Sequence, residues 1–280
     1  MIEFLAGVAA EIGWAIPVAV VLWFIARRTT RIVPATTPTT TAREKSFLPG
    51  WQRAVGLVAA AAALWALMIG LGWLIATTLE PVRDMDVAII EGLVASRTDP
   101  LTFLAHIGDQ IGNTPGIIAM VIIAAAAAHG VTRRWSPALV VVAAAAGETS
   151  IFLATQLAIS RARPDVEQLA GEPATSSFPS GHVAATIATY GCIALLVLAW
   201  SRSAVRVVAV TAAIALPLLV AWARMYQGMH FPSDVLASFL FAPLWLAACW
   251  WAIRPHPKGE TVRIGRAADA DVENAPAPAR

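Results

Sequence analysis

Apolar residues in this chain do not alternate with polar ones at a strand period, nor do they mark one stripe of a helix. They run on without interruption. The first run spans about Phe4–Ala26, and others follow at about Val55–Leu79, Pro115–His129, Pro137–Ile159, Val183–Trp200, Val205–Trp222 and Val235–Ile253. Most approach the roughly 20 residues that a helix needs to cross about 30 Å of hydrocarbon, so the pattern predicts about seven membrane helices. Between the second and third runs, residues 80–113 are amphipathic and rich in acids, which predicts short interfacial helices outside the membrane.

Composition agrees with this all-α, polytopic reading. The chain is 58% hydrophobic and 14% charged, against about 25% charged residues in ordinary globular proteins. The first run has no Lys or Arg before it and Arg27-Arg28 after it, which marks a stop-transfer helix and not a signal peptide. Glu11 within that run is expected to face protein or the interface. Residues 29–54 form a linker whose Pro/Thr-rich part, Val33 to Ala42, cannot build a core. Residues 55–254 form the main membrane domain. The tail over 255–280 ends in a stretch, Ala267 to Arg280, with too little apolar content to fold.

A net charge of +2 is too small to point to nucleic acid. Cys192 and Cys249 both fall in apolar runs, share no metal-ligand spacing and read as buried thiols. The distribution of cations is more telling. If the N-terminus lies outside and the spans alternate, fifteen of the twenty Lys and Arg residues fall on one side, which is then cytoplasmic. The outer side keeps Arg83, Arg97, Arg161, Arg163 and Arg224. The last three stand where few cations are expected and need a reason.

They lie in two loops that emerge on the same side of the bundle. The first contains Gln156, Arg161, Arg163-Pro164 and then Pro179-Ser180-Gly181-His182; the second runs from Ala223-Arg224 through His230 to Asp234. Arg163 and Arg224 offer forked donors that suit phosphate oxygens. Pro179 to His182 immediately precede an apolar helix, whose free N–H groups and positive dipole end favour an anion, and Ser180 adds a hydroxyl donor. His230 and Asp234 are four apart at a helix start, so the carboxylate is expected to accept from one ring nitrogen and leave the other as a nucleophile. His182 is then available to protonate a leaving alcohol and later to activate water. Such a set supports phosphoryl transfer with positive charge in place of a metal or other cofactor.

These residues resemble the signature of the type-2 phosphatidic acid phosphatase superfamily, which reads Lys-x6-Arg-Pro, then Pro-Ser-Gly-His, then Ser-Arg-x5-His-x3-Asp. Arg163-Pro164, Pro179 to His182, and Arg224, His230 and Asp234 match in identity and spacing. The resemblance implies a six-helix phosphatase core over about Val55 to Ile253, with one extra N-terminal helix. It implies that His230 becomes a phosphohistidine supported by Asp234, that His182 is the acid/base, and that Arg163, Ser180, Gly181 and Arg224 hold the phosphate.

Two positions depart from the pattern. Gln156 stands where the family has Lys, and Ala223 where it has Ser. Gln156 keeps a hydrogen-bond donor at the phosphate but no charge; Arg161 adds a charge nearby, with a solvated or headgroup-facing side chain favoured over compensation for the missing lysine. Glu148, two helical turns before Gln156, must face the bundle, with structural pairing favoured over a proton path. His106, His129 and the tryptophans read as interface or packing residues.

The expected protein is a lipid phosphatase in the cell membrane, its site facing outside. It would act on a lipid phosphomonoester or a prenyl diphosphate such as a cell-wall carrier, with the diphosphate slightly preferred from topology and family analogy. A phosphotransferase using the same phosphohistidine and a non-catalytic lipid-phosphate-binding relative are the alternatives.

Overall fold

The computed structural model describes residues 20, 50–171, 176–201 and 204–253. The expected first helix, the Pro/Thr-rich linker and the C-terminal tail lie outside them. Among the described residues there are eight α-helices and no strand. They are α1 (Gly50–Thr77), α2 (Glu80–Ala95), α3 (Asp99–Gly112), α4 (Thr114–Thr132), α5 (Trp135–Ala158), α6 (Gly181–Trp200), α7 (Val205–Tyr226) and α8 (Pro232–Ile253). Six of them, α1 and α4 to α8, are long and apolar enough to cross a membrane. These are the six core spans expected from the apolar runs, and the protein is a multi-pass membrane protein.

The buried side of each span is narrow. In α1 only Leu64, Met68, Gly72 and Ile75 are buried, a single face at helical spacing, whereas Trp51, Val58 and Trp73 are exposed. A helix that is apolar all round but packed on one face has lipid as the natural partner of the rest. The protein-facing core is formed mainly by α5, α6 and α8, which pack on one another; α7 leans on α6, α4 on α5, and α1 on α8 and α5.

Small residues set how closely these helices approach. Gly147 of α5 lies against the Trp245 indole of α8, and a Cβ there would sit 2.0 Å from Trp245 Cζ2. The indole N–H donates to the Ala144 carbonyl at 3.0 Å, a specific bond where water is absent. Glycine is therefore required at 147 by a neighbour, not by its own backbone conformation.

The acidic amphipathic stretch folds as the two short helices α2 and α3. The Arg83 guanidinium donates to the last carbonyls of α1, Ile75 and Ala76, both at 3.1 Å. A cation there complements the helix dipole. Asn113 caps α4 by accepting from the Gly116 N–H at 2.8 Å. α3 lies across α7 at a close crossing, where a Cβ on Gly108 would stand 2.6 Å from that of Ala223. Tyr226 locks the other end: its hydroxyl accepts from the Thr98 N–H at 2.9 Å, and Arg97 donates to its carbonyl. α2 and α3 thus cover the end of the bundle where the two motif loops meet.

The remaining expectations have mixed outcomes. Cys192 and Cys249 are buried free thiols, as read from sequence. His129 stacks on Trp135 with ring centroids 4.1 Å apart, a packing role. Glu148 is buried and accepts from the adjacent Thr149 hydroxyl at 3.3 Å, while its Oε1 has no partner among the described residues. Among those residues, the favoured structural pairing of Glu148 is limited to that one neighbouring bond.

Gly147→Ala should destabilise the detergent-purified protein by about 1–3 kcal/mol through overpacking, read as a lower unfolding temperature. A second change, Trp245→Leu, should relieve part of that loss.

Candidate functional site

The two motif loops are tied together by backbone and side-chain hydrogen bonds. The Ser180 N–H donates to the Asp234 carbonyl at 3.3 Å, and the Ser238 hydroxyl donates to the Ser180 carbonyl at 2.8 Å. Arg163 Nη1 donates to the Met229 carbonyl at 2.6 Å. Residues between 54 and 66 positions apart in sequence are held by these bonds at one end of the bundle. The turn between α7 and α8 needs Gly228, whose φ of +74° is left-handed and whose missing Cβ would meet Val166 at 2.7 Å.

His230 is buried, and its Nδ1 lies 2.7 Å from the Ser177 carbonyl. A carbonyl only accepts, so Nδ1 carries the proton and Nε2 keeps the lone pair. Burial above all, then the charges of Arg224 and Arg163 and the His182 ring, hold the imidazole well below its usual 6.5, against the opposing pull of the Ser177 bond. It is a neutral base at physiological pH. The sequence reading expected Asp234 to hold this ring, but Asp234 Oδ2 is 3.9 Å from Nδ1. That oxygen instead accepts from the Phe231 N–H at 2.8 Å, and Oδ1 pairs with Arg161. A backbone carbonyl has taken the place expected for the carboxylate.

Arg161 is neither headgroup-facing nor free to replace a missing phosphate cation. It is buried between two carboxylates, Asp234 and Asp86 of α2, the latter at 2.7 Å, and its guanidinium lies 4.6 Å from the Phe231 ring centroid. Asp86 is wholly buried and also accepts from the Ser233 N–H at 2.9 Å, in the first turn of α8. Its charge therefore sits at a helix N-terminus, where the dipole favours it.

The phosphate-directed candidates cluster around these anchors. Arg163 reaches the Ser176 carbonyl at 3.3 Å. Burial and the neighbouring Arg224 lower it to about 10, with Asp234 pulling upward, so it stays cationic at neutral pH. Ser180 starts α6; its hydroxyl is buried with no partner among the described residues. Gly181 and His182 occupy the first turn of α6, where an α-helix leaves its N–H groups without internal acceptors. Gly181 also packs edge-close to Phe152, 2.6 Å from where a Cβ would be. Gln156 spends one donor on the Ser176 carbonyl at 2.8 Å, and its buried Oε1 has no partner among the described residues.

Two residues that the sequence reading missed complete the group. Asp109 of α3 pairs with Arg224 Nη1, and its Oδ1 also lies 3.5 Å from His182 Nε2. Gln227 is buried and accepts from the same Nη1 at 3.1 Å while donating to the Ala105 carbonyl at 3.4 Å. Arg224 Nε, buried, has no partner among the described residues. Neither residue stands in a recognisable motif.

An anion-directed cluster of arginines, two histidines and an open helix N-terminus, at one end of a helical membrane bundle, defines the class. Residues 118–257 match the PAP2 superfamily, half of the chain, and the protein belongs to that superfamily. A crystal structure described as a transmembrane PAP2-type phosphatidylglycerolphosphate phosphatase from Bacillus subtilis has the same fold, with a TM-score of 0.59 and 23% identity. The likeness covers 69% of this chain and 94% of that one. No curated protein sequence matches the chain.

Removing Arg161 would leave Asp86 and Asp234 buried without a cation. Arg161→Ala should therefore destabilise the fold by about 3–5 kcal/mol. Thermal unfolding in detergent measures this, and an unchanged melting temperature would contradict the buried pairing.

Proposed function

We propose that this protein is a lipid phosphatase that hydrolyses a lipid phosphomonoester or prenyl diphosphate through a phosphohistidine on His230, without a metal, at the outer leaflet. The observation that carries the reading is the state of His230: Nδ1–H held on the Ser177 carbonyl, Nε2 left with its lone pair, and arginines close by. The six membrane helices and the superfamily support a lipid as the phosphate's carrier. The excess of Lys and Arg on the opposite side supports the outward orientation.

In this reading the phosphate is held by Arg163, Arg224 Nε, the Ser180 hydroxyl and the first N–H groups of α6, with Gln156 beside them. Preorganised donors of this kind stabilise the charge spread over the transferring phosphoryl group. His230 Nε2 attacks phosphorus, the bond to the lipid oxygen breaks, and His182 gives that oxygen its proton. His182 then takes a proton from water as the water oxygen displaces His230, and inorganic phosphate leaves. Nδ1–H stays on Ser177 throughout, so the ring needs no reorientation. Asp234 supports the nucleophile at one remove, by fixing the Phe231 N–H and Arg161 on either side of His230.

Phosphate release from a panel of lipid phosphates, with chelator present, tests the reading. Chelator-resistant release that falls at least about 10³-fold in His230→Ala is the expected result. A phosphoenzyme that forms but passes its phosphate only to a lipid or sugar hydroxyl would indicate a transferase, and lipid binding without a phosphoenzyme a non-catalytic relative. Gln156→Lys restores a cation at the phosphate and should raise kcat/KM by about tenfold, on the order of one charge-assisted hydrogen bond. An unchanged rate would show that the amide suffices.

A further inference from the structure

Asp109 is a carboxylate inside a site built for anions, and the mechanism above makes no use of it. It is not a loose surface group. α3 is clamped on α7 by the Gly108–Ala223 contact, by the Gln227 bond to Ala105 and by the Tyr226 bond to Thr98, and Gly112 packs on Val220 and Thr186. The carboxylate is therefore delivered by a rigid helix, and one oxygen serves both Arg224 Nη1 and the Nε2 side of His182.

We infer that Asp109 is a specificity-determining residue that selects phosphomonoesters over diphosphates by placing negative charge beside the leaving group. This rests on the reading of His182 as the leaving-group acid. An oxygen that takes its proton from His182 Nε2 lies about 3 Å from that nitrogen. Asp109 Oδ1 lies 3.5 Å from the same nitrogen. Leaving oxygen and carboxylate are then within the few ångströms over which like charges penalise each other strongly. The leaving group of a phosphomonoester is an alcohol, neutral once protonated, and it meets no penalty. The leaving group of a diphosphate is itself a phosphate, whose remaining oxygens bring charge directly against Asp109. Arg224 offers little relief, because its Nη1 is already paired with Asp109 and Gln227. The prenyl diphosphate favoured from topology is thus the poorer substrate of this site.

The test compares dioctanoyl phosphatidic acid with farnesyl diphosphate, using the full-length protein in detergent and reading kcat/KM for phosphate release. The wild type should favour the monoester by at least about tenfold. Asp109→Asn and Asp109→Ser should shrink that ratio by about tenfold or more by improving the diphosphate, and Asp109→Glu should keep it, as expected when one like charge near the reacting atoms is removed or retained. A merely structural Asp109 would lower both substrates together. A wild type that prefers the diphosphate, or a ratio unmoved in a folded Asn or Ser variant, overturns the inference. Release that disappears in His230→Ala keeps the underlying mechanism standing in that case; no release from either lipid overturns both.

Discussion

The buried ion pair of Arg161 with Asp86 and Asp234 is the contact on which the site depends. Three separate pieces of chain meet in it: the amphipathic helix α2, the loop after α5, and the first turn of α8. Charges out of water are stable only when paired and fully hydrogen-bonded. Arg161, with its planar fork, satisfies both carboxylates at once, and lysine could not do so with the same geometry. Once Arg161 is fixed, the chain two residues on presents Arg163 to Met229. The Ser177 N–H bonded to the Arg161 carbonyl then brings the Ser177 carbonyl to His230. The His230 ring is thus oriented through a backbone relay whose far end is a structural salt bridge.

Charge balance follows from the same arrangement. Three arginines, Arg161, Arg163 and Arg224, face three carboxylates, Asp86, Asp109 and Asp234. The cluster is therefore less positive than a count of its cations suggests. Among the described residues, Arg224 Nε has no partner. Under the proposed function, such a site would hold one phosphate by directed donors more than by bulk potential, which makes the placement of each donor decisive.

Much of this was legible in the sequence, and the reasons are physical. Hydrocarbon imposes both length and composition on a span, so the six core helices could be read from uninterrupted apolar runs to within a few residues. His182, Arg163, Arg224, His230 and Asp234 announced themselves because a loop has no packing reason to collect them. Asp86 and Asp109 were illegible for the opposite reason. Each lies on an amphipathic helix where acids ordinarily face water, and nothing in Arg83-Asp-Met-Asp86 or Gly108-Asp109 marks one carboxylate as the partner of an arginine. Ser177 escaped notice because it acts through its carbonyl, which every residue possesses. Arg161 was misplaced because its partners were unknown.

The two departures from the family signature take on meaning in this light. Ala223 stands at the α3–α7 crossing, where Gly108 leaves almost no space opposite it. The small Ala223 side chain and the close approach of α3 belong together, whereas the neutral Gln156 is a separate departure, bonded to the Ser176 carbonyl. Read singly, the substitutions look like losses of phosphate affinity. Taken together with α3 and Asp109, they fit the inferred preference for a less highly charged substrate.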